Sequence, residues 1–220
     1  MPVNEAAYKK IRSELDAKNI ILVAVSKTKP LEDIQALYDL GHRDFGENYV
    51  QELVEKANQL PKDTRWHFIG HLQTNKVKLI APFVQLIHGV DSLKLLREIN
   101  KEAGKAGRTI DCLLQVHIAE EETKFGFDEQ ELFNTNWSEL HELNNVRIVG
   151  LMGMASFSDD MNKVRKEFQD LKRIFDRLKT NDYRLTTLSI GMSGDYKVAM
   201  EEGSTMVRIG SLLFGEREKK

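Results

Sequence analysis

Eight short runs rich in Val, Ile and Leu alternate with longer amphipathic stretches from one end of the chain to the other, and this alternation limits the fold more than any other feature. Parallel strands buried on both faces read as continuous apolar segments, and each needs a crossover, usually a helix, before the next can pair beside it. The runs are residues 20–26 (IILVAVS), 43–46 (RDFG), 65–69 (RWHFI), 83–90 (FVQLIHGV), 110–118 (IDCLLQVHI), 146–152 (VRIVGLM), 185–190 (LTTLSI) and 205–209 (TMVRI). The second and third are short for strands.

The intervals carry helix signals. Val164, Phe168, Leu171, Phe175 and Leu178 recur at three- and four-residue spacing and place one apolar stripe on the helix after the sixth strand. Pro30 opens a helix at its favoured first position and Gly41 closes it; Asp91 or Ser92 caps the helix after the fourth strand, and Gly203 ends the one after Asp195. A doubly wound open sheet would alternate in the same way, but its glycine fingerprint is missing after the first strand, where the turn reads SKTKP. Eight units in 220 residues point instead to an α/β fold, a single (β/α)8 TIM-type barrel over residues 19–220. Residues 1–18 read as an extra N-terminal helix, with Ala7 or Tyr8, Ile11 and Leu15 on the face that covers the barrel bottom. No linker or low-complexity tract marks a second domain.

Composition narrows the function. The 32 basic and 34 acidic residues, a formal charge of -2, are mixed along the whole length, so no basic face offers itself to nucleic acid. The first residues lack the apolar core of a signal peptide, and no aliphatic run can span a bilayer, so the expected location is the cytoplasm. Cys112 is the single cysteine and reads as a buried strand residue; a catalytic thiol is the other reading, with no activating cation beside it in sequence. His67, in RWHFIGH, can face the barrel interior, while His71, His88 and His117 are scattered without metal-ligand spacing, and no metal is expected.

Barrels of this kind bind ligands at the carboxyl ends of their strands. Lys27 follows the first run and shares a strand face with Val23 and Val25 at the barrel mouth, where desolvation would make it a nucleophilic amine; a snorkelling lysine at a strand end is the plainer reading. After the seventh strand comes GMSGD, with Met192 and Ser193, and after the eighth come Gly210 and Ser211. Glycine N–H groups and serine hydroxyls at these two positions suit a phosphate, although each loop alone is also an ordinary glycine turn. An amine facing a phosphate cradle fits a ligand with an aldehyde at one end and a phosphate at the other, the form of pyridoxal 5′-phosphate (PLP). Arg208 can donate to the ring nitrogen of such a cofactor or sit in a structural salt bridge. Asn48 can meet its phenolic oxygen or cap the following helix.

Six motifs, VAVSKTKP (23–30), FGENYVQE (45–52), WHFIGHLQTNK (66–76), GLMGM (150–154), LSIGMSGD (188–195) and RIGSLLFG (208–215), stand in the order found in the pyridoxal-phosphate homeostasis proteins, which this sequence resembles over almost its full length. The resemblance implies the barrel of alanine racemase without that enzyme's second domain. It also implies a Schiff base at Lys27, a ring nitrogen near Arg208, phosphate around Ser193, Gly210 and Ser211, and a role in buffering and delivering the vitamin to apo-enzymes. Ser211 and Ile190 depart from it, since threonine and methionine are usual there. The expectation is a PLP carrier rather than an enzyme. The alternatives are a racemase or decarboxylase of the same barrel type, or a barrel holding another phosphorylated metabolite without covalent chemistry. A monomer is expected, because no apolar stripe is evident beyond the helix faces.

Overall fold

The computed structural model describes residues 3–119, 125–180 and 185–216. All eight expected strands are present: β1 (Ile21–Val25), β2 (Asp44–Glu47), β3 (Arg65–Phe68), β4 (Leu86–Val90), β5 (Ile110–Gln115), β6 (Val146–Met152), β7 (Thr187–Ser189) and β8 (Met206–Ile209). They form a closed parallel barrel in sequence order, sealed where β1 pairs with β8 from Ile21 opposite Met206 to Ala24 opposite Ile209. Several strands are shorter than their apolar runs. Residues 83–85, for example, are taken up by the turn after α4 (Val77–Ile80), whose carbonyls at Ala81 and Val84 accept from the Arg108 guanidinium.

Alternation along each strand divides the core in two. Val23, Leu86, Leu113, Met152 and Met206 point inward and form a small apolar layer inside the barrel. Their neighbours, among them Leu22, Ala24, Phe45, Phe68, Ile87, Leu114, Leu188 and Ile209, point outward into the larger core beneath the helices. Cys112 is buried in that outer core on β5, and burial pushes its thiol well above the ordinary range. A thiol so placed is structural.

The outer layer contains α2 (Leu31–Asp39), α3 (Val50–Gln59), α4, α5 (Leu93–Lys105), α6 (Glu129–Asn134), α7 (Trp137–His141), α8 (Met161–Thr180), α9 (Tyr196–Glu201) and α10 (Ser211–Phe214). Gly41 at φ +89 and Gly203 at φ +87 stand just past α2 and α9, the left-handed positions expected of helix ends. Ser92, not Asp91, caps α5 by accepting from the Leu95 N–H. Pro30 lies one position before the first helical residue of α2. The N-terminal helix α1 (Glu5–Asp16) forms as expected, with Tyr8, Ile11 and Leu15 buried. It does not cover the bottom: it packs against β1 and α10, with the Asn4 N–H donating to the Leu213 carbonyl at 2.8 Å. Among the described residues the four-residue α10 is the one helix after β8, and α1 packs on the flank beside it.

Val164, Phe168, Leu171, Phe175 and Leu178 are all buried along α8. Phe168, fully buried at mid-helix, should be among the most costly of these to truncate. Phe168→Ala should lower unfolding free energy by about 3–5 kcal/mol, seen as a reduced urea midpoint at unchanged slope.

Candidate binding site at the carboxyl end of the barrel

Lys27 is half-buried in the tight turn that leaves β1. Its two chain neighbours are held from behind. Ser26, fully buried, donates through Oγ to Glu47 Oε1 at 2.6 Å, and its carbonyl accepts from Lys56 Nζ at 2.7 Å. The Thr28 N–H donates to Glu52 Oε1 at 2.6 Å. Lys29 turns away, its ammonium donating to the carbonyl of Phe214 at 2.8 Å, with those of Gly215 and Glu216 at 3.3 and 3.4 Å.

Asn48 follows β2 but is not the cap of α3; Tyr49 takes that position without a side-chain cap bond. The Asn48 Oδ1 is buried and has no hydrogen-bond partner. Gly70, after β3, is what lets the backbone close up here, because a Cβ on it would lie 2.3 Å from the Asn48 carbonyl oxygen.

The loops after β7 and β8 meet across the same rim. Gly191 adopts φ +98, the Met192 N–H donates to Asp195 Oδ1 at 2.5 Å, and the Gly210 N–H donates to Ser193 Oγ at 3.2 Å. Ser211 is exposed at the start of α10. A Cβ on Gly210 would lie 3.3 Å from the Val25 carbonyl, so the loop after β8 sits directly against the end of β1.

Arg208 is buried inside the barrel, donating from Nη1 to the Ser189 carbonyl (2.8 Å) and Oγ (2.5 Å) and from Nη2 to the Gly153 carbonyl (3.0 Å). Burial brings its pKa down to about 10, partly offset by the Asp195 carboxylate. Among the described residues it makes no salt bridge, so that reading of Arg208 is set aside. The chain continues inward: Ser189 Oγ contacts His88 Nδ1 at 3.1 Å, His88 Nε2 contacts His67 Nδ1 at 3.0 Å, and His67 Nε2 contacts Asp44 Oδ1 at 3.1 Å. Arg65 closes it with a two-point contact to Asp44 at 2.7 and 2.5 Å. The roles are fixed at the two ends, since a guanidinium only donates and a carboxylate only accepts. Arg208 therefore donates to Ser189, and His67 donates from Nε2 to Asp44. Burial, with His67 and Arg208 nearby, holds the His88 pKa well below its ordinary value and its ring neutral.

A sequence profile of the alanine racemase N-terminal domain family matches residues 5–218. A protein of Aquifex aeolicus named pyridoxal phosphate homeostasis protein is 42% identical over 98% of this chain and 94% of its own length. Its Escherichia coli namesake is 37% identical over 91% and 87%. The chain belongs to the pyridoxal phosphate homeostasis protein family. Among solved structures, PipY of Synechococcus elongatus without PLP superposes with a TM-score of 0.90 at 35% identity, covering 96% of this chain and 99% of PipY. With PLP bound, PipY gives 0.86 at 34% over the same shares. Alanine racemase of Clostridium difficile, with a TM-score of 0.79 at 16% identity over 100% of this chain and 60% of its own, shares the fold.

For this family member, the structure gathers the expected positions at the end of the barrel where β1, β2, β7 and β8 finish. It adds groups that sequence reasoning missed. His88, Ser189 and Asp44 form the interior chain, and Glu47, Glu52 and Lys56 form a buried cluster behind Lys27. The available signal was a polar residue at an inward position of an apolar run, as in LIHGV. Among the described residues no three His, Cys, Asp or Glu side chains gather into a metal site, and no helix is long and apolar enough to cross a membrane. The expected monomer rested on a lack of exposed apolar surface. The structure instead exposes Tyr49, Phe125, Phe157, Met192 and Leu212, on segments that follow β2, β5, β6, β7 and β8.

Burial pushes the Asp44 carboxyl up, but hydrogen bonds from Arg65 and His67 outweigh it and leave it well below the ordinary 3.8. A depressed carboxyl stabilises the fold above its unfolded pKa, and that contribution is lost as pH falls towards its folded value. Asp44→Asn, which leaves Arg65 and His67 short of a charged acceptor, should cost about 3–5 kcal/mol at pH 6. The difference from the natural protein should shrink as pH drops below about 4, measured by urea unfolding across that range.

Proposed function

We propose that this chain binds PLP covalently at Lys27 and serves to hold the vitamin and pass it to apo-enzymes, rather than to turn over amino acids. The observation that carries the reading is the PLP-bound PipY structure, which matches this chain over 96% of its length at 34% identity, taken with a lysine at the corresponding end of the barrel. The residues present fit the group. Asn48 Oδ1 is a buried polar atom without a partner, and the Ser193 and Ser211 hydroxyls, the first accepting from the Gly210 N–H, provide donors for a phosphate on a loop that a Cβ at Gly210 would crowd. Attachment joins Lys27 Nζ to the aldehyde carbon as a C=N bond and releases the carbonyl oxygen with both amine protons as one water, without oxidant or reductant.

On this reading Lys27 is the anchor. Ser193, Gly210 and Ser211, beside Met192, hold the phosphate, Asn48 lies against the ring substituents, and Arg208 faces the ring nitrogen. The working unit is one chain, acting in the cytoplasm, and its protein partners are apo-enzymes that require PLP. The likeness to alanine racemase, at 16% identity, bears on fold alone and gives the enzymatic alternative no separate support.

Borohydride reduction of the PLP-loaded protein and peptide mapping should place the pyridoxyl group on Lys27, and Lys27→Ala should abolish the visible absorption band. A label confined to another lysine would overturn the assignment. Gly210→Val should weaken PLP binding by roughly tenfold or more while changing pyridoxal binding much less, since crowding removes donors that only the phosphate uses. Equal affinity of the natural protein for PLP and pyridoxal would refute the cradle.

A further inference from the structure

The turn that carries Lys27 has an unusual third residue. The Lys29 N–H donates to the Ser26 carbonyl at 3.0 Å, closing a four-residue turn with Lys27 and Thr28 at its centre. Thr28 has φ +64, whereas Lys27 is not among the residues with positive φ. That is the pattern of a type II turn, whose third position favours Gly or Asn. A β-branched residue in this region is strained, and strain of this kind persists only where the surroundings hold it.

The surroundings that hold it are Glu52 and the charges behind it. Type I and type II turns differ by a flip of the central peptide, here the one joining Lys27 to Thr28, and type I would place Thr28 at negative φ without strain. The Thr28 N–H belongs to that peptide and donates to Glu52 Oε1 at 2.6 Å. Glu52 is fixed in turn by Lys56, whose ammonium also contacts Glu47 Oε1 and the Ser26 carbonyl, all three at 2.7 Å. Lys56 and Glu47 are buried, so the cluster has little freedom to follow a turn that relaxes. The same cluster holds Ser26 through its hydroxyl and carbonyl and Thr28 through its backbone N–H. The clamp therefore grips both chain neighbours of Lys27.

We propose that Glu52, backed by Lys56 and Glu47, is a positioning residue that locks the Lys27–Thr28 peptide in its strained orientation and thereby aims Lys27 at the aldehyde of PLP. This deepens the proposed function and rests on attachment at Lys27. Glu52 touches neither the amine nor the reacting carbon, so its effect is on the population of turns competent for attachment.

The experiment compares the full-length natural protein with Glu52→Gln, Thr28→Gly and the double variant. It follows the rate of PLP attachment by absorbance at saturating PLP, maps the borohydride label, and records the melting temperature. Glu52→Gln should slow attachment by about tenfold, the loss of one charge-assisted contact, with the label still on Lys27. Thr28→Gly, which accepts positive φ without strain, should attach PLP within about twofold of the natural rate. In the double variant it should restore most of the rate lost by Glu52→Gln. A Glu52 with a merely structural role would lower the melting temperature without moving the rate, and glycine at position 28 would rescue nothing. Either result overturns the inference, as does a Thr28→Gly single variant slowed by about tenfold, which remains readable if Glu52→Gln proves too unstable to study. A label found on another lysine in the natural protein overturns the attachment reading itself. A label on Lys27 with rates indifferent to Glu52 overturns only the clamp.

Discussion

The pairing of β1 with β8 is the contact on which the site depends. Ala24 lies opposite Ile209, and the chain passes the rim two residues later on one side and immediately on the other. The loop carrying Lys27 and the loop carrying Gly210 therefore emerge side by side, although 183 positions separate them. Nothing local to either loop enforces this. Closure does, and closure rests on the outward apolar faces of eight strands finding helices to cover them, including α1, which covers the seam. The Lys29 ammonium on the carbonyls of Phe214 and Gly215, at the end of α10, ties the two sides of the seam together a second time.

Around the mouth a repeated device fixes loops that would otherwise be mobile. Glu52 accepts from the Thr28 N–H, Glu167 from the Ser156 N–H and hydroxyl, and Asp195 from the Met192 N–H. In each case a carboxylate at or within a helix captures the backbone of a segment that follows a strand. Hydrogen bonds with one ionised partner are among the stronger ones available to a protein, and a backbone donor at a turn fixes the peptide plane as well as the position. Burial opposes the ionised form of Asp195 and pushes its pKa up, so its bond to Met192 is made against a desolvation cost. The rim is thus held by charge, while the wall below it is held by apolar packing.

What was legible in the sequence follows this division. Strands buried on both faces announce themselves as apolar runs, and α8 shows its stripe because one face alone meets the core. Strands β2 and β3 were hardest to read, since Asp44, Glu47, Arg65 and His67 interrupt their apolar pattern with groups that find their partners on neighbouring strands or on α3. Lys27, Ser193 and Gly210 could be read because each sits in a short local motif. The chain from Arg208 through Ser189, His88 and His67 to Asp44 could not, because its members come from five strands and meet only when the register is set. Lys56 was hidden for a different reason. A lysine in an amphipathic helix reads as a solvent-facing residue, and only the burial of Glu47 behind Ser26 turns it into the centre of a cluster.

The interior chain also constrains what can face Arg208. Its bonds to Ser189 and Gly153 fix the plane of the guanidinium, and every remaining hydrogen on it is a donor. A ring nitrogen placed against it must accept, so on the proposed reading that nitrogen is held unprotonated and the ring withdraws electrons weakly. On that reading the guanidinium, fixed from inside the barrel, resists the protonation that would turn a held cofactor into a strong electron sink.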